Sequence, residues 1–444
     1  MLEQLPAIRL QAETVSTLLS AGAYKQELLA QIARAENRIY LCSLYLQNDE
    51  AGAEILSALH AAKAARPMLD IVVLVDWHRA QRGLIGEAKQ SGVLAGNAAW
   101  YQEFSRAHVT QVALYGVPVQ TRELFGVLHL KGFVIDDTVI YSGASINNVY
   151  LHQGATYRHD RYWLIGNAVL ANSMVNYIRE YILSAAAVQR LDQGALPATK
   201  SMRSDIRAFR SYLKKARYNF NPEPQQAEQY LSVTPLSGVG RNNPLNRVIC
   251  QLLAGSRQQI TICTPYFNFP LAVRREINHA LRRGVQIDIV IGDKRANDFY
   301  IPPEQAFKVI GALPYLYEMN LRRFCQLHQR EISTSQLNLR LWKDGANTYH
   351  LKGLWVDQDY VMITGNNLNP RAFRLDLENA LLIHDPRHEL LEQNRAELAS
   401  ILQHTTVLGH YRDIESVQDY PAQVRQLLTR LNAVRLDRLA YRVL

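Results

Sequence analysis

Two stretches of this chain place the same reactive groups at the same spacing. Leu128-His129-Leu130-Lys131-Gly132-Phe133-Val134-Ile135-Asp136 is answered by Tyr349-His350-Leu351-Lys352-Gly353-Leu354-Trp355-Val356-Asp357. On a strand, residues two apart share a face, so His129 pairs with Lys131 and His350 with Lys352. Brought together about a pseudo-two-fold, they give one pocket two imidazoles and two ammonium groups. That set suits attack at phosphorus. The lysines hold non-bridging oxygens and offset developing charge. One neutral histidine serves as nucleophile and a protonated one gives its proton to the leaving group. The two must then titrate as a coupled pair.

The remaining candidates support this set. Asp136 and Asp357 fall in a turn at an odd offset from the histidines, so turn stabilisation competes with direct contact. Asp160 and Glu378, each opening a strand after the motif, are better placed to orient an imidazole. Ser145 and Asn147 follow Gly143, and Asn367 and Asn369 follow Gly365. They are candidates for phosphate hydrogen bonds, with ordinary turn chemistry as the alternative. No acidic or histidine cluster has metal-ligand spacing, so neither a metal nor another cofactor is expected.

The elements that must position these groups are themselves repeated. The offset of 221 residues, from 129 to 350, also carries Leu28 to Ile249, Ile32 to Leu253, Ile39 to Ile260, Cys42 to Cys263 and Tyr45 to Tyr266. This is an internal duplication. Each copy reads as a helix (Tyr24 to Glu36 in the first), a strand, a second helix and a buried strand. Leu69 to Asp76 and Ile287 to Asp293 are the buried strands, and a hairpin carrying the motif follows. The first hairpin is expected to use Val127 to Ile135 as a strand. The predicted fold is α/β: two tandem sandwich halves related by a pseudo-two-fold, with the site at their interface. The expected segments are an arm or helix over 1–22, a first half over 23–190, a basic linker over 191–240, a second half over 241–415 and a basic helix over 416–444. Arg79 and Arg295 lie just past the carboxyl ends of the buried strands, where open sheets bind ligands. A solvated loop explains them equally well.

Hydrophobic residues make up 48% and charged residues 20% of the 444, which excludes a disordered chain. A formal charge of +9 points to an anionic partner or substrate. The four cysteines form no CxxC pair and fit buried thiols in a reducing compartment. The first twenty residues do not read as a signal peptide and no membrane-spanning run occurs, so a cytoplasmic location is expected. In the linker, Arg203, Arg207, Arg210, Lys214 and Arg217 form one helical stripe beside Ile206, Phe209, Leu213 and Ala216. That is the form of a helix lying on an anionic membrane surface. A solvated face covering the join between halves is the competing explanation. The tail adds Arg425, Arg430, Arg435, Arg438 and Arg442 with no clean apolar face.

The doubled HxKxxxxD pattern resembles the phospholipase D superfamily, whose members pair two such motifs at one site. The resemblance narrows on VDWHRAQRG (75–83), GVLHLKGFVIDD (126–137), IGALPYLYEMNLRRF (310–324) and ITGNNLNPRAFRLDLENALLIHDP (363–386). These are similar to a Gram-negative bacterial group of phosphatidyltransferases acting on CDP-diacylglycerol and L-serine. The family's glycine-serine-x-asparagine segment is matched only approximately, since each Asn is displaced by one place. The resemblance implies His129 as nucleophile at the lipid-linked phosphorus. It implies His350 as the acid that releases CMP and the base that then activates serine. It further implies attachment to the cytoplasmic face of the inner membrane by a monomer or homodimer, with ribosomes as a further anionic partner. Other enzymes of the superfamily (cardiolipin synthase, phospholipase D, nuclease) and a basic scaffold are the competing functions.

Overall fold

In a computed structural model of the chain, described for residue 2 and residues 4–82, 96–222 and 229–433, two mixed sheets repeat one topology. In the first, Arg38–Cys42 runs parallel to Asp70–Asp76, which runs parallel to Ala113–Val117. On its other side Phe133–Ile135, Thr138–Ser142 and Tyr162–Gly166 follow antiparallel. The second sheet repeats the pattern with Gln259–Thr264, Gln286–Gly292 and Leu337–Trp342, then Gly353–Val356, Tyr360–Thr364 and Leu377–His384. The central strands are buried on both faces, which is why they read as unbroken apolar runs.

Local chemistry sets the helices. Ser20 accepts from Ala23 N at 3.1 Å and starts the helix Ala21–Arg34, which buries Tyr24, Leu28 and Ile32. Asp49 does the same for Glu50–Ala65, accepting from Gly52 N at 2.9 Å. In the second half Asn243 caps Pro244–Gly255.

Four expectations need correction. The leading segment is not a helix: Ile8–Arg9 and Val15–Leu18 are strands, and the first pairs with Ser232 and Val233 of the other half's sheet. Its sequence lacks a periodic apolar stripe, so edge pairing wins. The motif hairpins are shorter than read, with ladder strands only over Phe133–Ile135 and Gly353–Val356. The basic helix covers Arg203–Leu213, leaving Lys214 and Arg217 beyond its end. Its apolar stripe (Ile206, Phe209, Leu213) is buried in the protein and is not a free face for lipid. Finally, the tail does have a face where it is described: Val424 and Leu428, one turn apart, pack with Tyr315 and Met319. Arg435, Arg438 and Arg442 lie outside the described residues, as does Gly83 of the first carrying stretch.

Candidate active site

The motif residues lie where the chain leaves its own sheet to pair with the opposite half. His129 N donates to Leu377 O at 2.9 Å, and Leu377 N donates back to Val127 O at 3.0 Å. Reciprocally, His350 N donates to His159 O at 2.9 Å, while Thr348–Tyr349 forms a parallel pair with Arg158–His159. Each histidine therefore sits against the strand that supplies the other half's carboxylate. This exchange explains the short hairpin strands, because residues 127–129 pair with Leu377 across the interface and Gly132, at φ of 105°, separates them from Phe133–Ile135.

Two dyads result. His129 Nδ1 is 2.9 Å from Glu378 Oε2, and His350 Nδ1 is 2.8 Å from Asp160 Oδ2. All four side chains are buried, as are Lys131 and Lys352. Lys131 Nζ donates to Ala144 O at 3.3 Å and reaches Ser145 Oγ at 3.5 Å. Lys352 Nζ instead lies 3.5 Å from Asp160 Oδ2 and against the His350 ring. The glycine turns are what let these groups approach. A Cβ at Gly365 would stand 2.6 Å from Lys131 Cγ, and one at Gly143 2.7 Å from Asp160 Oδ1.

Burial dominates the electrostatics, with charges deciding the differences. It pushes Glu378 up to about 8 against the pull of Lys131, Lys352 and Arg371. Burial would raise Asp160 too, but Lys352 and His350 hold it at about 2. Both histidines are driven down by burial and a neighbouring lysine, His350 to about 3 and His129 well below its usual value. Burial likewise lowers each lysine to about 8. At neutral pH the two imidazoles stay neutral beside two ammonium groups. An anionic phosphate entering there meets strong positive potential and stabilises a protonated histidine.

Residues without a motif signature hold the dyads. Tyr150 Oη lies 3.0 Å from His350 Nδ1. Asn379 clips the first motif in both directions, donating to Lys131 O and accepting from Lys131 N, each at 2.8 Å. Arg161, directly after Asp160 as Asn379 is after Glu378, donates to Met362 O at 3.0 Å and bidentately to Glu397 at 2.7 Å. The only sequence signal for Arg161 and Asn379 is that each follows the carboxylate of its dyad, and Tyr150 has none.

The other candidates separate. Asp136 and Asp357 are structural. At φ of 48° and 51° they sit in the left-handed turn, an arrangement Asp tolerates. The Asp136 carboxylate accepts from the backbone of Glu36, Asn37 and Arg38 at 2.8–3.0 Å, and Asp357 does the same for Arg257, Gln258 and Gln259. Both pin the start of a central strand and are correspondingly kept from the histidines. Asn147 and Asn369 use their side-chain oxygens on local backbone, accepting from Tyr150 N and Ala372 N at 2.9 Å. Asn367 is half-buried in the turn after Thr364, and its backbone oxygen accepts from Thr264 Oγ1 at 2.8 Å. Arg295 points to solvent, while its neighbour Lys294 pairs inward with Glu318 at 3.0 Å. Arg79 pairs with Glu123 at 3.0 Å and lines a cavity of about 560 Å³ together with Tyr45, Asn147 and Arg158. Arg203, Arg207, Lys214 and Arg217 are exposed. Arg210 is not: it turns inward and donates to Leu375 O at 3.0 Å, closing the join between halves.

Comparison with known proteins agrees with this architecture. The family model described as cardiolipin synthase, PLD-like domain matches residues 28–181 and again 249–402. The chain is 50% identical to the CDP-diacylglycerol–serine O-phosphatidyltransferase of Escherichia coli (strain K12), covering 100% of this chain and 97% of that protein. Against the enzyme of the same description from Haemophilus influenzae (strain ATCC 51907 / DSM 11121 / KW20 / Rd) the identity is again 50%, with the same coverage of 100% and 97%. The crystal structure of the Haemophilus influenzae phosphatidylserine synthase superposes with a TM-score of 0.95 at 49% identity, covering 100% of this chain and 98% of the other.

Proposed function

Because the chain belongs to the phospholipase D-like family and, within it, to the CDP-diacylglycerol–serine O-phosphatidyltransferases, we propose that its composite site moves a phosphatidyl group from CDP-diacylglycerol to the hydroxyl of L-serine through His129. In the first step His129 Nε2 attacks the phosphorus bonded to diacylglycerol. The bond from that phosphorus to the CMP oxygen breaks, and His350, protonated once the anionic substrate is bound, gives its proton to CMP. In the second, His350 takes the proton of the serine hydroxyl, the serine oxygen attacks the same phosphorus, and the bond to His129 breaks. Lys131 and Lys352 neutralise the phosphoryl oxygens throughout. Glu378 and Asp160 orient the rings by holding Nδ1.

One observation carries this reading: the two dyads are reciprocal, each histidine being oriented by a carboxylate from the other half. Neither half has a working site alone. Serine-dependent release of CMP from CDP-diacylglycerol is the defining assay, and hydrolysis that ignores serine would place the enzyme with the phospholipases instead.

The lipid substrate requires contact with a membrane, and among the described residues no helix is long and apolar enough to cross one. A peripheral mode is favoured by exposed Arg203 and Arg207 on a helix beside the segment carrying exposed Leu124 and Phe125. Arg210 ties the two together through Val119 O at 3.5 Å. Near an anionic leaflet each basic residue contributes about 1 kcal/mol. Charge reversal at Arg203 and Arg207 should therefore weaken flotation with anionic liposomes at low salt and leave little effect at high salt.

A further inference from the structure

A duplicated site is symmetric, but its two substrates are not, so recognition of the acceptor must come from parts of the chain that the duplication does not repeat. Two such parts meet beside His350. The first is the loop from Asn147 to Asp160, four residues longer than its counterpart from Asn369 to Glu378. The second is the segment joining Gln286–Gly292 to Leu337–Trp342, eight residues longer than its counterpart joining Asp70–Asp76 to Ala113–Val117, which contributes Asp298 and Phe299. Arg158 of the loop lies 3.6 Å from Asp298 Oδ2, and Tyr266 Oη donates to Asp298 Oδ1 at 2.7 Å. Two tyrosines connect this pair to the base. The Arg158 guanidinium is 4.9 Å from the centre of the Tyr150 ring, whose hydroxyl meets His350, and the Tyr266 ring lies 6.5 Å from that of His350.

We infer that Arg158 and Asp298 form the acceptor subsite, Asp298 taking the ammonium and Arg158 the carboxylate of serine while its hydroxyl faces His350. This rests on the reaction proposed above and adds the residues that choose the acceptor. The pair is loose compared with the 2.7 Å of Arg161–Glu397, and both side chains keep a face, 15% and 17% exposed, on the cavity of about 560 Å³. A zwitterion inserted between them satisfies both charges at once. Of the other charged groups lining the cavity, Arg79 and Arg82 pair with Glu123, Asp49 caps the helix Glu50–Ala65 and Lys308 is exposed, while Asp160 and Glu378 beyond it are held by the histidines. Water and uncharged alcohols carry no charge to pair with either group, which gives a preference for an amino acid over hydrolysis.

The test uses the full-length enzyme with CDP-diacylglycerol in mixed micelles and two readouts. One is the KM for serine; the other is exchange of labelled CMP into CDP-diacylglycerol without serine, which reports the first step alone. Asp298→Asn and Arg158→Lys should each raise the serine KM by about tenfold or more, the loss expected for a charge-assisted contact, with the exchange rate changing far less. Equal losses in both readouts would instead assign the cavity to the nucleotide and overturn the inference. A wild-type measurement stands independently of folding: serine methyl ester and ethanolamine, which lack the carboxylate, should each show a KM about tenfold or more above that of serine. Equal KM values would also overturn it. If the proposed reaction itself were wrong, wild-type enzyme would form no serine product at all, a different result from either.

Discussion

His129 with Glu378 and His350 with Asp160 are assembled from the same parts, yet their carboxylates sit at opposite ends of the titration range. Burial takes Glu378 to about 8, whereas Lys352 and His350 hold Asp160 at about 2. The difference is where each lysine goes. Lys352 lies within 3.5 Å of its dyad's carboxylate, while Lys131 spends its ammonium on Ala144 O and Ser145. Duplication thus supplies two equivalent half-sites, and a small reorientation of one ammonium makes them chemically distinct. The charged Asp160 favours a protonated His350 once phosphate is bound, the state an acid needs. The Glu378 dyad can hold His129 neutral, the state a nucleophile needs.

Removing a histidine is the harshest way to break the comparison. His129→Ala should lower both CMP exchange and serine transfer by about a thousandfold or more, since no covalent intermediate forms. His350→Ala should cut serine transfer by about a hundredfold or more, the usual contribution of a positioned acid–base group. CMP is a good leaving group, so this variant should still release about one equivalent of CMP per enzyme before stalling, visible as a burst in rapid-quench measurements. The two variants differ in kind, and identical behaviour would erase the distinction between the half-sites.

The pH dependence sharpens the same comparison. Nε2 of His129 is free to attack once Glu378 is a carboxylate accepting from Nδ1–H, and with Glu378 at about 8 this form grows as pH rises towards 8. Lys131 and Lys352, also at about 8, lose their charge above that pH. CMP exchange should therefore show a narrow bell centred near pH 8, with Glu378→Gln removing the acidic limb. Asp160, already ionised above about 2, should add no limb in the working range. The smallest effect is expected at the turns. Asp136→Asn and Asp357→Asn should each cost about 1–2 kcal/mol of stability in chemical unfolding through lost backbone hydrogen bonds, with the KM for serine and the exchange rate nearly unaltered.

How much of this was legible in the sequence follows from what repeats. The 221-residue offset exposed two α/β halves, and the turn contacts obey it to the residue, with Asp136 bonding 36–38 and Asp357 bonding 257–259. Beyond that offset, residues were found by another signal, as Asp160 and Glu378 were by each opening a strand, or stayed hidden. The offset slips to 222 by Ser142 and Thr364, because the second turn holds one more residue, and to 218 at Asp160 and Glu378. Tyr150, Asn379 and Glu397 act across the interface on residues about 200 or more positions away, which no local pattern encodes. The basic stripe misled at Arg210, since periodicity gives the face of a helix and not what that face meets. The motif's extended segments were read as belonging to their own sheet for a similar reason: alternation reveals strand conformation but not the strand's partner.

The central claim is that one composite site works through a covalent bond to His129. Mixing enzyme with CDP-diacylglycerol in the absence of serine, quenching under conditions that spare phosphoramidate bonds and mapping the modified peptide by mass spectrometry tests it most directly. The account predicts a phosphatidyl adduct on His129 that disappears when serine is added before the quench. An adduct on His350, or turnover with no adduct on either histidine, would contradict it.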